Sequence, residues 1–312
     1  MLGKKQTKRL APSRFLVEPL VEAVLHGSVP EGASAYALQD LAPKVLGLDL
    51  GKTRVVILGG GTGMSTVVGG NSQMKDWPEY PFGGLKQVFP LLDVIVGTTD
   101  DGGSTGLLVR QLPMIGIGDI RKSCLSLISG TRLQKTYGLS ENGIYDVVRI
   151  IHRIFNFRFT GEPEDARILR DPLRAVPPSW RVLCPARLAN ALRALGRYVS
   201  KRGRGPNIKP AGHCLGNLLL TSAVFQAARG NTRRAPDVAA MRRGMDAVSA
   251  LIGVAPGHLH AATSTPGQLK FCYANGVEVY GQNKSASARR GFSVERVEAE
   301  FVEPPRVSPA VL

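Results

Sequence analysis

Apolar positions along this chain change period as it proceeds. Residues 54–58, RVVIL, form a β-branched run that reads as a buried strand, followed by glycines and a short helix from about Met64. A second apolar run over 92–98 ends in TDDGGSTG and gives strand, loop and turn again. Two such strands joined by a helical crossover predict an α/β, Rossmann-like fold with a mostly parallel sheet and helices on both faces.

Farther along, the helical period takes over. Ile144, Val147, Val148, Ile151, Ile154 and Phe155 share one face, as do Leu188, Leu192, Leu195 and Val199. KSCLSLI reads as a helix, and GNLLLTSAVFQAA, apolar nearly all round, as a buried one starting near Asn217. QLKFCYANGVEVYGQ alternates about Asn275–Gly276 and predicts a hairpin. GGNSQMKDWPEYPFGG, DPLRAVPPSW and KRGRGPNIKPAG are read as loops or broken connections. Residues 1–50 are expected to be an N-terminal extension, with Phe15, Leu16, Leu20, Val21, Val24 and Leu25 spaced for one amphipathic helix. Residues 51–312 are expected to form the main domain.

Composition narrows the functional classes. The 312 residues suffice for a substantial core, and 43% hydrophobic with 21% charged residues is ordinary for a globular protein. No apolar run reaches the length of a membrane span, and the N-terminus lacks a secretory h-region. Cys124, Cys184, Cys214 and Cys272 lie far apart without a CxxC pair, which fits free thiols in a cytoplasmic protein. Neither these nor the histidines show transition-metal spacing.

The formal net charge of +16 predicts attraction to polyanions. It is concentrated in KKQTKR near the start, in RYVSKRGRG at 197–205, in RRAPDVAAMRR at 233–243 and at Arg289–Arg290. Solvated surface, a phosphate-rich ligand and nucleic acid all fit these clusters. The nucleic-acid reading is the weaker, since no reader motif is present and aromatic content is 6%.

The glycine run GGGTGMST lacks the lysine of a P-loop and the spacing of the dinucleotide fingerprint. What remains is the physics common to both: glycines admit close backbone approach, and a helix start offers unpaired amides to an anion. Thr62 and Ser65 add hydroxyls. A tight strand-to-helix turn without a ligand fits the same residues. TTDDGGSTG adds Asp100 and Asp101 at a strand's carboxyl end, where α/β sheets place ligands. Adjacent carboxylates repel, and a phosphate-borne Mg²⁺ would offset that, as would solvation in an Asx-type turn. QLPMIGIGDIRK then supplies Asp119, Arg121 and Lys122.

In order, GGGTG, TTDDGGSTG, GIGDIRK, HCLGNLLLTSAV and LIGVAPGHLHAATSTPGQLKF resemble the CofD-like superfamily, over about residues 53–312. That superfamily includes 2-phospho-L-lactate transferases and gluconeogenesis factors of the YvcK type, and the resemblance is closest to the latter. It implies that Gly60, Gly61, Thr62 and Gly63 lie against phosphates of a nucleotide or nucleotide-sugar. It also implies that Asp100 and Asp119 are the magnesium-associated acids, and that Gly216 and Asn217 lie near the ligand.

A phosphoryl-type transfer with Mg²⁺, its developing charge met by Arg121 or Lys122, is one expectation. A non-catalytic UDP-sugar-binding regulator of carbon use or envelope growth, acting as a homodimer or larger assembly, is the other. The chain departs from the transferases in having Asp119-Ile-Arg121 where they have an acid-rich turn. It also ends where YvcK-type chains continue, so the usual C-terminal part is expected to be missing.

Overall fold

The computed structural model describes residues 51–200, 205–281 and 293–303. The expected N-terminal amphipathic helix lies outside the described residues, as do KKQTKR and Arg289–Arg290. The fold described below belongs to the unit Arg54–Leu312.

Its centre is a parallel sheet of β1 (Arg54–Gly59), β2 (Leu91–Val96) and β3 (Leu259–Ala261), in that spatial order. The register runs from Arg54 opposite Leu91 to Gly59 opposite Val96, and from Val94 opposite Leu259 to Val96 opposite Ala261. Central β2 buries Leu92, Val94 and Val96, whereas edge strand β1 leaves Val56 and Leu58 exposed. The three-residue β3 carries His258 at its entry, and the His258 ring Nδ1 lies 3.0 Å from Asp93 Oδ1. That contact matches a polar residue on the central strand with a neighbour able to receive it.

Helices pack around this sheet. In the crossover from β1 to β2 lie α1 (Gly61–Gly69), a 3₁₀ turn at Trp77–Glu79 and α2 (Leu85–Val88). Lys86 of α2 donates from Nζ to the carbonyls of Pro81, Ser126 and Ile128 at 2.6, 2.6 and 2.8 Å, stapling the inserted loop to its neighbours. After β2 come α3 (Gly103–Gln111), α4 (Gly118–Ser126) and α5 (Gly130–Tyr137). Helix α3 starts inside the stretch expected to be a turn, because Gly103-Ser-Thr-Gly forms its first turn.

Helix α6 (Glu141–Asn156) is capped by Ser140, whose hydroxyl accepts from the Gly143 amide, and it buries the whole predicted apolar face. The Pro-rich connection contains α7 (Asp165–Arg170), a 3₁₀ turn at Pro172–Ala175 and α8 (Pro178–Arg181). The predicted second amphipathic helix is α9 (Ala186–Val199), and the all-apolar one is α10 (Leu215–Ala227). Helix α10 packs against α6, α9 and α11 (Val238–Leu251). Surrounded on several sides, it has no broad polar stripe, and its buried polar residues Asn217, Thr221 and Ser222 find hydrogen bonds within the protein.

A second, antiparallel sheet in the order β5–β4–β6 follows: β4 (Gly267–Tyr273), β5 (Glu278–Tyr280) and β6 (Val294–Phe301). The β4–β5 hairpin turns at the expected Asn275–Gly276 pair.

Candidate functional site

Parallel pairing puts the carboxyl ends of β1, β2 and β3 along one edge of the sheet. The Gly97 amide donates to the Gly59 carbonyl at 2.7 Å, so the loops leaving β1 and β2 start side by side. This edge is the usual ligand position in open α/β sheets.

Helix α1 begins at Gly61, not at Met64, so the glycines themselves form its first turn. Gly61 has φ of +70°, a conformation that a side chain would strain. A Cβ placed on Gly61 or Gly63 would meet nothing within 4 Å, which leaves open space above both. The N-cap residue, Gly60, has no side chain to satisfy the helix start. By helix geometry the first four amides find no acceptor within α1. Asp119 supplies one from across the site, its Oδ2 accepting the Gly61 amide hydrogen at 2.6 Å. Of the two predicted hydroxyls, Thr62 Oγ1 donates to Gln73 Oε1 at 3.2 Å near the surface. Ser65 is buried, and its hydroxyl turns back to the Thr62 carbonyl.

The acids are held by the two motifs that follow. Asp100 accepts the Gly102 amide on Oδ1 at 3.0 Å and the Thr105 hydroxyl on Oδ2 at 3.1 Å. Burial pushes its carboxyl above the usual carboxylate range and the nearby Asp119 charge adds to this, while the Gly102 hydrogen bond, Lys122 and Thr105 oppose it. Gly118 explains the glycine spacing of GIGD. A Cβ there would lie 2.3 Å from Thr105 Oγ1 and 2.6 Å from Asp100 Oδ2, so a side chain would push apart the two groups that hydrogen-bond each other in the acid loop. Asp119 Oδ1 is paired with Lys122 Nζ at 2.8 Å. Asp101 faces elsewhere: its Oδ2 would lie 2.9 Å from a Cβ on Gly281, just past β5. Of the three predicted metal-site acids, the fold therefore brings Asp100 and Asp119 together and turns Asp101 toward Gly281. Among the described residues no group of three or more His, Cys, Asp or Glu side chains is placed to hold a metal ion.

Arg121 points into the protein. It is 2% exposed, and its Nη1 donates to the Phe155 carbonyl and to Asn156 Oδ1, at the carboxyl end of α6. A cation suits that end of a helix dipole. Asn156 in turn donates to the Ser72 carbonyl at 2.7 Å, tying the loop after α1 to the same knot. The cation beside the acids is Lys122.

Gly216 and Asn217 lie behind the acid loop. A Cβ on Gly216 would sit 2.4 Å from the Phe155 carbonyl and 2.8 Å from Arg121 Cδ, so the glycine is required by packing. Asn217 donates to Ser104 Oγ at 3.2 Å, and Ser104 Oγ also accepts the Cys214 amide at 2.8 Å. Sequence reasoning missed the neighbouring His213, which is wholly buried; burial favours its neutral form, and an interaction with the Ser104 backbone opposes this. The signal available was its place directly ahead of CLGN, opposite the serine of DDGGST.

A separate cavity of about 690 Å³, lined by Phe82, Phe89, Leu127, Arg132 and His258 among others, opens near the amino ends of β2 and β3. Arg233, Arg234, Arg242 and Arg243 of the 233–243 stretch are exposed, as is Arg197 of the 197–205 stretch.

Comparison with known proteins adds a family. Residues 55–311 match the family described as 2-phospho-L-lactate transferase CofD. A putative gluconeogenesis factor of Thermoanaerobacterium thermosulfurigenes is 38% identical over 74 residues, which cover 24% of this chain and 19% of that protein. A gluconeogenesis factor of Listeria monocytogenes is 37% identical over 76 residues, with the same coverage of 24% and 19%. Each match thus spans about a fifth of the curated relative. A solved structure of a UPF0052 family member from Bacillus halodurans is 19% identical with a TM-score of 0.42, covering 80% of this chain and 51% of that one.

Proposed function

We propose that this chain, which belongs to the 2-phospho-L-lactate transferase CofD family, binds the phosphates of a nucleotide or nucleotide-sugar at the carboxyl edge of its parallel sheet. The observation that carries this reading is the start of α1. It has no side-chain cap of its own, leaves open space above Gly61 and Gly63, and is met by the Asp119 carboxylate, which is paired with Lys122 and lies near Asp100. Amides of that first turn would receive phosphate oxygens, favoured by the helix dipole.

A magnesium ion fits the donor set. Asp100 and Asp119 offer hard carboxylate oxygens close enough for one charge to disfavour the other, and this ion takes one or two carboxylates while keeping its waters. These two residues would hold it, and when bound it would neutralise charge on a transferred phosphorus-containing group. The chain's own part is orientation: Gly102 and Thr105 fix Asp100, and Lys122 fixes Asp119.

Calorimetry and thermal shift with UDP, UDP-sugars, GDP and GTP, each with and without Mg²⁺, test the reading. Saturable binding of at least one supports it, and no binding to any refutes it. A regulatory, non-catalytic version is favoured by the names of the relatives and by Arg121, whose guanidinium is committed to Phe155 and Asn156. Mass-spectrometric turnover assays separate the two, since the regulator binds without forming product.

A further inference from the structure

Asp119 already takes one of the amides that a bound phosphate would use. Its carboxylate takes the Gly61 amide, one of the donors that make a helix start attractive to anions. Its nearest oxygen would lie 3.0 Å from a Cβ on Gly60, so it presses against the loop itself. The other oxygen is tethered to Lys122, one helical turn along α4, and both side chains are largely shielded, at 13% and 17% exposure. A carboxylate in that seat repels an incoming phosphate and withholds one amide from it.

We propose that Asp119 is a built-in anion that caps the glycine loop and is exchanged for the ligand's phosphate on binding. The inference rests on the nucleotide reading above. Released from Gly61, the carboxylate stays tethered by Lys122 and remains beside Asp100, the position from which it can serve a cation. Two effects follow. The phosphate meets resistance until the carboxylate leaves, and a divalent cation, by drawing Asp119 toward Asp100, lowers that resistance. Cation and phosphate therefore bind with positive coupling, each tightening the other by the same factor.

The test compares wild type with Asp119→Asn, which keeps an acceptor for Gly61 while removing the charge. UDP and GDP binding is measured by calorimetry in EDTA and in millimolar Mg²⁺. In EDTA the variant is expected to bind about tenfold more tightly than wild type, and its affinity to respond little to Mg²⁺, whereas wild-type affinity rises with the cation. Equal affinities in EDTA, or weaker binding by the variant in both conditions, overturn the exchange while leaving the binding site in place. No nucleotide binding to wild type under either condition overturns the site reading itself. A second readout needs no variant: on nucleotide titration in wild type, the Asp119 carboxyl carbon and the Gly61 amide proton should shift together at the same midpoint. A Gly61 amide that moves while the Asp119 carboxyl stays fixed contradicts the exchange.

Discussion

Gly118 stands so close to Asp100 that a single methyl group would fall 2.6 Å from the carboxylate oxygen Oδ2. The relation ties two motifs, TTDDGG and GIGD, into one unit: the acid is positioned because the helix carrying the second acid begins without a side chain. Gly118→Ala is accordingly expected to destabilise the protein by about 1–3 kcal/mol, the usual cost of overpacking a tight site. Urea denaturation measures this. The control is Gly63→Ala, where a Cβ meets only open space. It should leave stability within about 0.5 kcal/mol of wild type. An equal loss in both would show that the close approach does not matter.

Gly63→Ala carries a second expectation. Its methyl would project into the space assigned to phosphate, so nucleotide affinity should fall about tenfold while the melting temperature is unchanged. Unchanged affinity would place the ligand elsewhere.

Arg121 is expected to matter for folding. Arg121→Met removes a donor from the Phe155 carbonyl, which keeps Cys214 Sγ, and the guanidinium donor from the half-buried Asn156 Oδ1, at a cost of about 1–2 kcal/mol. Thermal and urea unfolding should both register it; a variant as stable as wild type would mean those acceptors find water instead.

Asp100 makes a prediction of sign. Burial raises its folded pKa above the unfolded value, so the protonated form is favoured by folding. Its contribution to stability is full below the unfolded pKa and is lost as pH rises through the folded one. Near neutral pH the ionised side chain therefore opposes folding of the ligand-free protein. Asp100→Asn should raise the melting temperature at pH 7, with the difference vanishing in acid. A lower melting temperature for the variant at pH 7 would show that the hydrogen bonds from Gly102 and Thr105 outweigh burial.

His213 gives the opposite slope. Burial lowers its folded pKa from 6.5, so its stabilising contribution is present above that value and is lost as pH falls through the folded pKa. His152, also lowered by burial, adds to the same window. Stability should decline below pH 6.5, and His213→Gln should flatten part of that decline. A variant with an unaltered acid profile would remove His213 from the explanation.

These arrangements were unequally visible in the sequence. Strands β1 and β2 and helices α6, α9 and α10 could be read because each has an uninterrupted apolar run or a clean helical face. The three residues of β3, Leu-His-Ala, are too few to show a period. Helix α3 was hidden by its Gly-Ser-Thr-Gly start, and α11 by paired arginines and Gly244 on otherwise apolar turns. In β6, Val-Glu-Arg-Val breaks strict alternation, and the structure has a register irregularity at Cys272–Tyr273 of the partnering strand β4. At the site, the residue types were legible and their directions were not. That Asp119 reaches back to Gly61 and that Arg121 turns inward depend on how α4 meets α1 and the end of α6, and that Asp101 faces Gly281 depends on where the end of β5 lies, contacts far apart in the chain.

The central claim is that the first turn of α1 receives phosphate. Amide NMR of Thr62 and Gly63 during titration with UDP and GDP in the presence of Mg²⁺ tests it most directly. The account predicts saturable shifts of both amides with one of these ligands, at the midpoint seen by calorimetry. Binding detected by calorimetry that leaves both amides unmoved would contradict it.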